Sequence, residues 1–211
     1  AYPFYQLDGK EVHEVGVGPI HAGVIEPGHF RFMCFGETVH HLEIQLGYQH
    51  RGIEALLLRS DPAKLAPLVE VISGDSSVAH VSAYCLAWEA VCGVTVPWNV
   101  QVVRGLALEL ERIAMHLAGL AGMCADIAFL QGAATYGRLR TVAINLSMRL
   151  CGSRFGRGWL RPGTVRFEWN REIRQEILAA IKILEADLGL INELFRNSRT
   201  VRHRLRGVGQ I

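Results

Sequence analysis

The residues best suited to chemistry fall in three stretches. Glu26 and His29 stand three apart in a glycine- and proline-rich run, Gly16 to Phe32, with His21 just upstream. A carboxylate and an imidazole in one loop can pass protons near neutral pH, or they can simply hydrogen-bond within the loop. Ser73-Gly74-Asp75-Ser76-Ser77 offers four short polar side chains around a glycine. Any of Asp75, Ser76 and Ser77 can cap a following helix by accepting from a free backbone N–H. His116 and Asp126 sit among apolar residues further on, where an ionised carboxylate is costly without a partner. The five cysteines, at 34, 85, 92, 124 and 151, form no C-x-x-C and read as free thiols of a reducing compartment.

The elements that position these residues follow from hydrophobic period. Residues 2–17 read as short strands around the turn Asp8-Gly9. Alternation then predicts a β-hairpin of 29–35 and 38–48, with Leu42, Ile44 and Leu46 on one face. Val78, Val81, Cys85, Leu86 and Trp88 recur at helical spacing after the serine-rich loop. A long helix is expected over 99–132, interrupted near Gly119 or Gly122, with Leu106, Leu108, Leu110, Ile113, Leu117 and Leu120 as its core stripe. Glu109, Glu111 and Arg112 read as its surface pairs. Further helices are expected over 133–150 and 168–197. The fold class is therefore α+β, mainly α: a small antiparallel β region over 1–50 that carries the site loop, then a bundle of long helices over 51–211.

At 211 residues the chain can bury a sizeable core. Half of it is apolar and the mean hydropathy is +0.19, which suggests surfaces covered by partner subunits. No run reads as a membrane span; Leu117 to Phe129 comes nearest, but is short and contains Asp126. Ala1-Tyr2-Pro3-Phe4 lacks the basic start of a secretory signal. The net charge of +2 does not call for nucleic acid. The cations are nineteen Arg to three Lys, a bias that suits buried or interfacial pairing. No phosphate-binding loop or dinucleotide fingerprint is present.

Several motifs resemble one superfamily. Ile72-Ser73-Gly74-Asp75-Ser76-Ser77-Val78-Ala79-His80 is similar to the segment that carries the first cysteine pair of nickel–iron hydrogenase large subunits, with Ser73 and Ser76 at the two cysteine positions. Gly18-Pro19-Ile20-His21 and Glu26 to Phe32 resemble the N-terminal segment shared with the 49 kDa-type subunit of respiratory complex I. Tyr48-Gln49-His50-Arg51-Gly52-Ile53-Glu54, Leu108 to Leu117, and Gly152-Ser153-Arg154-Phe155 with its following loop fit the same pattern, as does Gly207 to Ile211. The resemblance spans nearly the whole chain and corresponds to the N-terminal half of the family. It implies a piece of a longer chain or a split subunit.

The resemblance also implies roles. Glu26 matches the proton-transfer glutamate of the hydrogenases. His29, with His21 as rival, matches the quinone-site histidine of complex I, and Asp126 matches the aspartate paired with it. Arg157 stands where complex I has a histidine against the small subunit's terminal cluster. Ser73, Gly74, Asp75 and Ser76 would line the acceptor cavity, with no metal held. The quinone-site tyrosine would fall near Gly74 and is absent.

The expected function is that of a subunit in a membrane-associated, energy-converting oxidoreductase. It would take electrons from a 4Fe–4S cluster on a partner iron–sulfur small subunit to a quinone-like acceptor. Other subunits of a membrane-bound complex would be partners, nucleic acid would not, and NAD would enter at the level of the holoenzyme only. Its expected place is cytoplasmic, peripheral on the inner face of the cell membrane. Two alternatives stand beside this: a non-catalytic scaffold that docks the small cluster subunit, and an active nickel–iron hydrogenase large subunit.

Overall fold

The computed structural model describes residues 3–21, 26–166 and 170–208 and divides into two compact units, residues 1–52 and 53–211.

The first unit is a three-stranded antiparallel sheet in the order β1-β2-β3, formed by Val12–Val17, His29–Phe35 and Thr38–Gln45. Arg31 is 5% exposed on the central strand. Its Nε lies 2.5 Å from Glu14, its Nη2 donates to Glu14 at 2.6 Å, and its Nη1 donates to Glu43 at 2.8 Å. Arg31 pairs directly with Glu43 in register. Glu14 lies two residues from Gly16, Arg31's other cross-strand partner, so all three charges share one face.

Among the described residues, no strand forms before residue 9, where one was expected. There the Tyr5 N–H donates to the Glu43 carboxylate and the Tyr5 carbonyl accepts from Arg31, so side chains satisfy the backbone where a ladder was expected. The register shifts between Met33 and Cys34, so both are buried and the strict alternation of β2 fails. Leu42, Ile44 and Leu46 do lie alternately, but on the exposed face.

The second unit is helical: α1 (Ile53–Arg59), a 3-10 turn (Pro62–Lys64), α2 (Leu65–Val69), α3 (Ser77–Cys92), α4 (Trp98–Asp126), α5 (Leu130–Cys151), α6 (Arg171–Asn197) and α7 (Arg199–Leu205), with a two-stranded ribbon of β4 (Leu160–Arg161) and β5 (Thr164–Val165). One core gathers Val78, Val81 and Cys85 of α3, Val103, Ala107 and Leu110 of α4, Trp159 and Leu160 of the ribbon, and Ile173 and Ile177 of α6. A second lies between α4, α5 and α6, around Leu117, Tyr136, Leu139 and Leu184. No helix among the described residues is long and apolar enough to cross a membrane.

The long helix expected over 99–132 ends earlier, at Asp126. Gly119 and Gly122 lie inside it, and the chain turns at Ile127–Phe129, where Ala128 has φ of 60°. The stop comes from packing: at Gly132 an added Cβ would overlap the Phe129 ring and come within 2.8 Å of Cys124 Sγ, so the corner closes around a position with no side chain. α6 starts at Arg171, its first turn capped by Asn170, whose side chain accepts from the Ile173 N–H at 2.9 Å. The expected start at Glu168 and the closing motif from Gly209 to Ile211 lie outside the described residues.

Burial raises the thiols of Cys85, to about 11, and of Cys124 and Cys151, whereas Cys92 is exposed at the last turn of α3. Since the thiolate is the nucleophile, limiting maleimide on the folded protein should label Cys92 first, read by peptide mass mapping. Equal labelling of Cys85 or Cys124 would contradict this packing.

Candidate functional site

The Ser73–Ser77 loop is held from three sides. Ser76 occupies the N-cap position of α3, yet its side chain makes no capping bond. The cap comes from α4: the Val78 N–H donates to Glu111 Oε2 at 2.7 Å and the Ala79 N–H to Glu111 Oε1 at 3.0 Å. Glu111, expected as a surface partner, thus satisfies two of the donors that a helix leaves open at its start, where the dipole favours negative charge. Burial nonetheless pushes its carboxyl above the ordinary value, against the pull of those two N–H groups and His80. Ser77 is fully buried; its hydroxyl donates to the Ser73 carbonyl at 3.4 Å and accepts from Arg157 Nε at 3.5 Å.

The third side is the loop after α5. Gly156 has φ of 67°, and an added Cβ there would overlap Val78 Cγ2, so this backbone lies directly on the first turn of α3. Arg154 and Arg157 place their guanidinium carbons 4.6 and 5.0 Å from the centre of the Phe155 ring. Where the loops meet, a cavity of about 20 Å³ is lined by Gly74, Asp75, Glu111, Ser147, Arg154 and Phe155. That is the room of about one water molecule, too little for an organic acceptor. Ser73 and Ser76 are half-buried, Gly74 and Asp75 exposed.

Two buried carboxylates fix the arginine-bearing loop. Glu70 accepts from the Gly158 N–H at 2.9 Å and from Arg161 Nη1 at 2.7 Å. Glu89 takes both terminal nitrogens of Arg104, at 2.9 and 2.6 Å, and the Gly163 N–H at 2.6 Å; Arg104 also donates to the Arg161 carbonyl at 2.8 Å. Glu89 and Arg104 are each 6% exposed. The Arg104 hydrogen bonds hold the Glu89 carboxyl below its ordinary value despite burial, and Glu89 raises Arg104 in turn.

Glu70, Glu89, Arg104 and Arg161 are additional to the candidates expected from the sequence, and Glu111 was expected at the surface. A signal was available for two of them. Arg104 falls three before Ala107 and Glu89 four after Cys85, so each charge sits on its helix's buried stripe.

The other candidates lie elsewhere. In the first unit, Pro19, Ile20, His21, Pro27 and Tyr48 surround an open hollow of about 370 Å³. Glu26, beside Pro27, is exposed, and His29 is half-buried at the first position of β2. An added Cβ at Gly18 would overlap the Gly28 carbonyl, so the two ends of this loop close on each other. His50 Nδ1 accepts from the Gly52 N–H at 2.9 Å, a turn-fixing bond. Asp126 is the last residue of α4 and, like His116, is exposed, which corrects the expectation that they are enclosed by apolar residues: both lie on the outward face of α4. Asp126 and His29 belong to different units.

The family model for the respiratory-chain NADH dehydrogenase 49 Kd subunit matches residues 126–211. Hydrogenase-4 component G of Escherichia coli K12 is 30% identical over 209 residues, covering 99% of this chain and 38% of that protein. A subunit of the NADH-quinone oxidoreductase of Saccharopolyspora erythraea is 29% identical over 203 residues, covering 96% of this chain and 45% of that protein. The fold superposes, with a TM-score of 0.88 and 22% identity, on a chain of the membrane-bound sulfane sulfur reductase, an archaeal respiratory membrane complex, covering 97% of this chain and 55% of that one. The chain belongs to the superfamily of nickel–iron hydrogenase large subunits and the complex I 49 kDa-type subunit. It spans less than half the length of the two curated relatives named.

The donor set does not fit nickel and iron. Soft thiolates are what such a centre needs, and Ser73 and Ser76 offer neutral hydroxyls. Among the described residues, no three of His, Cys, Asp and Glu are grouped to hold a metal.

Breaking the Glu89–Arg104 pair should be expensive. Arg104→Ala is expected to destabilise the fold by about 3–5 kcal/mol, because it strands a buried carboxylate, and urea denaturation measures this. The pair's contribution is present above the ordinary carboxylate range and is lost as the pH falls through the lowered value of Glu89. A loss below about 1 kcal/mol would show that the pair is not buried as described.

Proposed function

We propose that this chain is part of a membrane-associated oxidoreductase subunit that passes electrons from an iron–sulfur cluster on a small partner subunit to a quinone-like acceptor. The observation that carries the reading is the preserved frame with altered ligands: the Ser73–Ser77 loop is held against Arg154 and Arg157, yet carries hydroxyls where the hydrogenases have thiolates. Such a loop offers hydrogen bonds to an organic carbonyl and no thiolate to a metal. The relatives, among them Hydrogenase-4 component G and a subunit of an NADH-quinone oxidoreductase, support the same class of chemistry.

In this reading the Arg154–Phe155–Arg157 stretch faces the partner's cluster, where two fixed cations favour electron arrival. Ser73, Gly74, Asp75 and Ser76 provide polar groups for the acceptor from the solvent side of the loop, where Gly74 and Asp75 are exposed, and not from the small cavity behind it. Protons for the reduced acceptor come through Glu26 or His29, with His21 beside the hollow in the same unit. The place of action is the cytoplasmic face of the cell membrane, and NAD belongs to another subunit of the holoenzyme. The open hollow at His21 and Pro27 favours this reading over a pure scaffold, because 370 Å³ lies within the range of small-molecule sites.

The test uses the intact complex. Elemental analysis should find iron without nickel. The double variant Glu26→Ala/His29→Ala should lower the rate of quinone reduction by roughly 10²-fold or more, the ordinary contribution of a positioned acid or base. Normal turnover by that variant sinks the reading. Stoichiometric nickel would restore hydrogen chemistry, and neither metal would indicate a scaffold.

A further inference from the structure

Glu111 lies within the Leu108–Leu117 motif, yet the resemblance assigns it no role, and it makes no surface ion pair like that of its neighbour. Its neighbour Glu109 fills that role, accepting from Arg112 at 2.6 Å on the exposed side of α4. Glu111 instead crosses to another helix. Both of its oxygens are bound, one to the N–H of Val78 and one to that of Ala79. These are the first donors after the Ser73–Ser77 loop, and Val78 itself is 2% exposed. With no capping bond from the Ser76 side chain, the carboxylate is what these two donors have.

We propose that Glu111 is a positioning residue for the Ser73–Ser77 loop, one that holds the loop when ionised and loosens it when it takes up a proton. The proposal rests on the reading that this loop belongs to the acceptor site. A carboxylate can accept from two N–H groups at once. A carboxylic acid turns one oxygen into a donor, so one of the two N–H groups loses its partner. The lost bond falls at the junction where Gly156 packs on Val78 and Arg157 donates to Ser77, so the loosening reaches both loops of the site.

The surroundings decide how readily the proton is taken. Asp75 from the loop favours it, while His80 on α3 opposes it. Arg154 lines the same small cavity, Arg157 reaches Ser77, and Ser147 from α5 is neutral. Burial is the largest influence and acts in favour of protonation. Against the unfolded chain, burial makes the folded chain bind this proton more tightly, so the contribution to global stability is greatest at low pH. That contribution declines as the pH rises through the ordinary carboxylate range to the raised folded value. Within the folded chain, by contrast, the two N–H bonds favour the ionised form and the held loop.

The experiment compares the wild-type complex with Glu111→Gln, which fixes a neutral side chain of the same size, and with the surface control Glu109→Gln. Two quantities are read across pH: amide hydrogen exchange of the segment 73–84, corrected for intrinsic rates, and the KM for a short-chain benzoquinone. Glu111→Gln should speed exchange at Val78 or Ala79 by roughly tenfold at neutral pH. It should raise KM more than it lowers kcat, and abolish the acid-side change in KM that the wild type shows. The control should match the wild type.

Unchanged exchange in Glu111→Gln overturns the proposal. Faster exchange with the kinetics of the control also overturns it, since Glu111 would then be a helix cap and nothing more. A wild-type complex that reduces no quinone overturns the functional reading, and does so in the parent protein before any variant is compared.

Discussion

The second unit depends on two carboxylates that are buried where carboxylates are costly. Glu70 and Glu89 stand at either end of the stretch that holds the serine-rich loop and α3, and they hold the same opposite segment. Glu70 takes the Gly158 N–H and Arg161; Glu89 takes the Gly163 N–H and Arg104. Each covers its charge with a backbone donor as well as a guanidinium, the condition under which a buried ion pair is tolerated. The segment between, 158–163, contributes Trp159 and Leu160 to the core, both fully buried. Apolar burial alone would not choose one register for so short a ribbon. The carboxylates supply it, because a slip would strand a charge.

The first unit solves a similar problem with the signs exchanged. There one buried cation, Arg31, is shared between Glu14 and Glu43 and also binds the Tyr5 carbonyl. It lowers both carboxyls, with the Tyr5 N–H the largest influence on Glu43, and is itself raised by them. The planar guanidinium can meet several oxygens at fixed angles, which an ammonium cannot. The excess of nineteen Arg over three Lys is accounted for in part by such positions: Arg31, Arg104 and Arg161 each bind a carboxylate and a backbone carbonyl.

Much of this architecture was legible in the residues. The hairpin, the helices and the loop before α3 follow from period and punctuation, since apolar faces must find each other. Detail was lost where a distant group decides. Among the described residues, no strand forms before residue 9 because Arg31 and Glu43 claim the Tyr5 backbone, and neither residue is near it in sequence. α4 stops at Asp126 because Phe129 and Cys124 close over Gly132, a packing fact with no local signature. Capping was misassigned for the same reason. Asp75, Ser76 and Ser77 all have the composition of a cap, and the cap came from Glu111, more than thirty residues on. The exposure of Asp126 could not be read from its apolar neighbours, because on a helix the facing residues are three and four away, not one and two.

The altered loop bears on how such a frame can persist after its thiolates are gone. Where two cysteines bind a metal, the metal crosslinks the loop and contributes to its folding. In this chain the same loop is closed by other means. Glu111 caps the helix behind it, Ser77 binds back to Ser73, and Gly156 leaves room for the backbone to press on Val78. None of these bonds uses the side chain of Ser73 or Ser76. The side chains at 73 and 76 therefore lie outside this support, and serine can stand at both without unfolding the loop. What the loop presents can change while the support behind it stays, because the two are made by different side chains.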